Sequence, residues 1–75
     1  MRVYLNDYNN AKKFVEVVNT FEENIDVMKY HYVIDAKSLM GIFTLDLSQP
    51  IEVKIHSDNP EVLARFNEVM KEFEI

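Results

Sequence analysis

The sequence predicts a two-layer α/β fold, one sheet backed by helices, and three observations carry that expectation. Ile51, Val53 and Ile55 alternate with Glu52, Lys54 and His56 at the period of a half-buried strand. Two apolar stripes recur at three- and four-residue spacing, Ala11, Phe14, Val15, Val18 and Phe21 in one and Val62, Leu63, Phe66, Val69, Met70 and Phe73 in the other; each marks the inner face of a helix. Between them, residues 25–28 and 30–35 are short runs rich in branched and aromatic side chains, the composition of paired strands.

Taken in order, residues 2–6 read as an opening strand, and Asp7, Tyr8, Asn9 and Asn10 as a polar loop that ends in a helix cap. The first helix is expected over residues 10–22, ended by Glu23 and Asn24. The two strands after it are expected to meet in a tight hairpin at residues 28–30, with Tyr30, Tyr32 and Ile34 on one face and His31, Val33 and Asp35 on the other. Ser38 can cap the next element, but residues 39–45 are too few for periodicity to choose between helix and strand. Asp46 to Pro50 form a connection to the alternating strand. For the last helix Asp58 or Asn59 supplies the cap, Pro60 suits the first turn, and Glu61 complements the positive helix end.

Composition narrows the function classes. A length of 75 residues fits a single domain with a small core, and with no cysteine its 48% hydrophobic content must stabilise it without disulfides or thiolate metal sites. The formal charge of -5 repels phosphate backbones, and Lys12, Lys13, Lys29, Lys37, Lys54 and Lys71 are scattered, so neither nucleic acid nor a membrane is expected as partner. Met1 to Asn6 turn polar too soon for a signal peptide, and a cytoplasmic protein is the default. His31 and His56 lie in expected strands without metal-ligand spacing, so no metal or other cofactor is called for.

The segment with most to say is 36–41, Ala-Lys-Ser-Leu-Met-Gly, which holds the only glycine. It sets a capping serine beside Leu39, Met40 and Phe43, an apolar group that either plugs the core or is offered to a partner. This segment, the order of elements, and the spacing from Phe21 through Ile25 to Ser38 resemble the HPr family, the small histidine-containing phosphocarriers of the bacterial sugar phosphotransferase system. The resemblance runs over almost the whole chain and implies an open-faced sandwich, four antiparallel strands covered on one side by three helices, with a short helix at 38–43.

In that family the phosphorylatable histidine precedes the first helix in a segment like Gly-Ile-His-Ala-Arg-Pro. The ungapped match brings this histidine onto Asp7, the arginine onto Asn9 and the proline onto Asn10, so none of the three is kept. The family's regulatory serine matches Ser38, and its docking surface for enzyme I, permease domains and HPr kinase matches Leu39, Met40 and Phe43. The resemblance therefore implies a non-enzymatic regulatory or interaction domain, with a phosphotransferase-system component, HPr kinase or a transcriptional regulator as partner. The residues leave two other readings open. One is a phosphocarrier with an atypical acceptor, Asp7 or His56, and the other a structural domain that self-associates through the apolar patch. Asp7 itself reads as a solvated acid, a charge mimic of a phosphohistidine, or an acyl-phosphate acceptor that lacks a neighbouring cation.

Overall fold

The alternation at residues 51–55 becomes the strand around which the rest is assembled. A computed structural model describes residues 1–75, with elements β1 (Arg2–Val3), α1 (Tyr8–Val18), β2 (Ile25–Lys29), β3 (Tyr32–Asp35), α2 (Leu39–Phe43), β4 (Ile51–Ile55) and α3 (Pro60–Met70). The sheet order is β1-β4-β2-β3 and every neighbouring pair is antiparallel. Ile51, Val53 and Ile55 are buried under the helices, while Glu52 and Lys54 stand on the open face. Period-two alternation and one-sided burial are thus the same fact in sequence and in space.

The core lies between the sheet and the helices. Phe14, Leu5, Ile25, Ile42 and Met70 are its largest fully buried side chains. Two edge-to-face ring pairs, Phe14 with Phe73 at 5.5 Å and Phe21 with Phe66 at 5.7 Å, tie the α1 region to the C-terminal region. Arg65 lies over the Phe21 ring at 4.1 Å, which covers that aromatic on its solvent side with a cation. In α3, Asn59 Oδ1 accepts from Glu61 N at 2.9 Å and Pro60 fills the first turn, as the cap signals require.

Several local expectations shift. The first strand is only Arg2–Val3, because Asn6 adopts φ 72° and turns the chain into the helix. The first helix starts at Tyr8 and not at Asn10: Asp7 Oδ1 accepts from Asn10 N at 2.9 Å, so the acid is the cap and the residues read as loop are its first turn. It ends at Val18, where Asn19 bonds back to Val15, and Phe21 is buried from the turn beyond. The hairpin pairs Lys29 with Tyr32, which places its two-residue turn at Tyr30 and His31, with Tyr30 at φ 55°. Of the last-helix stripe, Phe73 lies beyond the helix end in a turn held by a bond from its N to Met70 O at 2.9 Å. The strand β3 is exposed on both faces except at Ile34, because it forms the sheet's edge.

Candidate functional site

The candidate site is built on two helices that run in opposite directions side by side. At one end, Asn19 Nδ2, past the end of α1, donates to Lys37 O at 3.2 Å, just before α2. At the other, the rings of Tyr8 in the first turn of α1 and Phe43 in the last turn of α2 meet edge to face at 4.9 Å. Ser38 therefore sits beside the C-terminal end of α1, and Asp7 caps the opposite end, about 18 Å of helix away.

Ser38 is the cap of α2, its Oγ accepting from Gly41 N at 3.1 Å. It is partly buried, and the neighbouring Lys37 ammonium is engaged with Phe21 O at 2.6 Å. A phosphate on Ser38 would meet the N–H groups opening α2 on one side and the carbonyl end of α1 on the other. Gly41 has a packing reason to be glycine. A Cβ there would lie 2.8 Å from Ile34 Cγ2, so the missing side chain lets α2 settle onto β3.

The three apolar residues of the expected patch separate. Met40 is 83% exposed and Phe43 37%, whereas Leu39 is partly buried and packs against the core. Ile42 is the residue of α2 that plugs the core completely, whereas the sequence reading offered that role to Leu39, Met40 and Phe43. Tyr8 joins the exposed surface through its contact with Phe43, a neighbour invisible to spacing because it comes from another helix. The surface presented to solvent is thus Tyr8, Met40 and Phe43, with Leu39 and Ile42 beneath holding it in place.

Around Asp7 the environment is polar. Asn6 N donates to Leu47 O at 3.0 Å, which joins the loop before α1 to the loop after α2. A shallow depression there is lined by Asp7 and Asp46 among others, and the Asp46 carboxyl is held below the usual aspartate range by bonds from the Ser48 hydroxyl and backbone N–H. Asp7 is exposed, its carboxylate accepting from Asn10 N alone.

The two histidines are elsewhere and neither lies within a strand. His31 is in the β2–β3 turn, and His56 comes after β4 on the open face of the sheet, where its Nε2 lies 2.6 Å from Asp26 Oδ2. The His56–Asp26 contact was not legible because it depends on the β2–β4 register, which sets Asn24 beside His56 and Asp26 beside Lys54. No three His, Cys, Asp or Glu side chains are grouped to hold a metal ion.

A family model described as the PTS HPr component phosphorylation site matches residues 7–74. The chain belongs to the HPr family. Two solved structures share the fold. HPr-C-His of Thermoanaerobacter tengcongensis is 22% identical with a TM-score of 0.73, over 96% of this chain and 90% of that one. The Bacillus subtilis catabolite repression protein Crh, solved as an intertwined, swapped dimer, is 23% identical with a TM-score of 0.66, over 100% of this chain and 87% of that one. No curated protein matches the chain. The four-stranded antiparallel sheet with three helices is the HPr fold, and family membership places the chain with the HPr phosphocarriers of the phosphotransferase system. No helix is long and apolar enough to cross a membrane.

Proposed function

We propose that this HPr-family chain is a non-catalytic regulatory or protein-interaction domain of the phosphotransferase system, and that Met40 and Phe43, with Tyr8 beside them, are its docking surface. The observation that carries the reading is at the head of α1, where an aspartate caps the helix and no histidine is at hand. His31 lies in a hairpin turn and His56 is paired with Asp26 on the open face. Asp7 sets a carboxylate at the helix start, at the position onto which the ungapped match to the family's pattern brings the phosphorylatable histidine. Flexible Met40 and the half-exposed ring of Phe43 offer adaptable contact area next to it. A phosphotransferase-system component, HPr kinase or a transcriptional regulator is the class of partner that fits, with Ser38 as the site of regulatory phosphorylation.

Incubation with phosphoenolpyruvate and enzyme I, with a genuine HPr as control, tests the loss of carriage. Intact mass should stay unchanged for this chain while the control gains a phosphate; stable transfer to Asp7 or His56 would overturn the reading in favour of an atypical carrier. An HPr kinase assay on the natural chain and on Ser38→Ala tests regulation. Phosphorylation should vanish in the variant, and undiminished labelling removes Ser38 as the site.

A further inference from the structure

The two edges of the sheet are finished differently. Outside β1, Tyr4 N donates to Phe73 O at 2.9 Å, Ile75 N donates to Arg2 O at 3.3 Å, and Val3 bridges to Glu74, so the C-terminal residues cover that edge. Outside β3 no further strand lies. Ala36 N donates to Ile25 O at 2.9 Å, and the alternation of an antiparallel ladder then turns the peptides of Tyr32 and Ile34 toward β2 and those of His31, Val33 and Asp35 outward. The side chains there are apolar and exposed: Tyr30 by 87%, Tyr32 by 68% and Val33 by 65%. The strand carries no proline, lysine or bulge, the usual guards of a free edge.

We propose that this edge pairs with a second copy of the chain, β3 antiparallel to β3, about a two-fold axis through Val33. The argument for a second copy is self-complementarity. With Val33 opposite Val33, the two outward peptides exchange two N–H···O bonds, and Asp35 N–H of each copy reaches the His31 carbonyl of the other. The same register sets His31 against Asp35 of the second copy on the open face, twice by symmetry, and Tyr32 against Ile34 on the helix face. An imidazole with a carboxylate that can accept its N–H, and an aromatic with a β-branched residue, are favourable cross-strand pairs. A slip of one residue sets Tyr32 against Asp35 and throws the helices of the two copies onto opposite sides of the sheet. The product of the proposed register is one continuous eight-stranded sheet with all helices on one side. Four residues of strand and a charge of -5 on each chain make the association weak and concentration-dependent. It needs no exchange of strands and does not use the Met40 and Phe43 surface.

Sedimentation equilibrium of the full chain over a wide concentration range, with circular dichroism to verify folding, tests the proposal. The natural chain should dimerise reversibly, and Val33→Pro, which removes an outward N–H and leaves the β2 ladder alone, should be monomeric. Val33→Lys supplies the same test without a backbone constraint. His31→Asp, which sets acid against acid, should raise Kd roughly tenfold relative to His31→Lys. A natural chain that stays monomeric into the millimolar range overturns the proposal. So does a dimer indifferent to both Val33 variants, or equal Kd values for His31→Asp and His31→Lys.

Discussion

The starts of α1 and α2 solve the same problem, unpaired N–H groups at a helix end, with different means. α1 has a charged cap, eleven residues and four buried side chains, Ala11, Phe14, Val15 and Val18. α2 has a neutral cap, five residues and a single buried side chain, Ile42. A helix of one turn and a half cannot form by propensity, so its place depends on what lies beneath it. The exposed residues of α2 are consequently presented by others that lie beneath them, Gly41 against β3 and Ile42 in the core. Presentation and contact are separable by mutation here, as they would not be on a long amphipathic helix.

The largest effect should come from the anchor. Ile42→Ala is expected to cost about 2 to 5 kcal/mol in urea unfolding, whereas Met40→Ala two residues earlier should change stability by less than about 0.5 kcal/mol. Similar costs for the two would show that α2 is not held by one side chain. Next is Gly41→Ala, where the 2.8 Å approach to the stiff Ile34 predicts a loss of about 1 to 3 kcal/mol despite alanine's better helix propensity. In an Ile34→Ala background the same substitution should become neutral or stabilising, and a persistent loss would place the strain elsewhere.

The caps rank below these. Asp7→Ala and Ser38→Ala should each cost about 0.5 to 2 kcal/mol, while Asp7→Asn, which can still accept from Asn10 N, should cost little. An Asp7→Asn variant as unstable as Asp7→Ala would mean that charge, and not the hydrogen bond, sets the start of α1. The smallest effect is a pH dependence in the loop after α2. The Asp46 carboxyl is held below its ordinary value by the Ser48 hydroxyl and then the Ser48 backbone N–H, with Lys29 adding attraction. Its ionised form is therefore bound more favourably in the folded chain, a contribution present above the unfolded value and lost as pH falls through the lowered one. Ser48→Ala should flatten the acid limb of stability slightly, and an unchanged limb would remove this group from it.

How much was legible depended on whether the deciding partner was near in sequence. The strand β4 and helix α3 carry their evidence within themselves, alternation in one and Asn59, Pro60, Glu61 and an apolar stripe in the other, and both formed where expected, except that His56 follows the strand and Phe73 the helix. The cap of α1 was misplaced by three residues because Asp7 and Asn10 are equally good caps by type, and only the geometry of Asn6 chooses between them. The hairpin turn moved to Tyr30 and His31 because neither residue is a turn former, and β2 imposes the register. At the candidate site, the Ser38 cap was visible from the segment 36–41 and the short helix from the family resemblance, yet the division of labour within it was not. Leu39, Met40, Ile42 and Phe43 are alike in hydropathy, and their burial is decided by β3 and α1 beneath and beside them. His56 and Asp26 met for the same kind of reason, across thirty positions of sequence.

The sheet order has a consequence in time. Because β4 lies between β1 and β2, no strand ladder other than the β2–β3 hairpin can exist until residues 51–55 are present. During synthesis β1 must wait, unpaired, for a partner some fifty residues downstream, and it is then sealed by Phe73 to Ile75, made later still. Such long-range closure slows folding, since the entropy of the loop is lost before the contacts form. The first strand to be synthesised is thus among the last to find its partner.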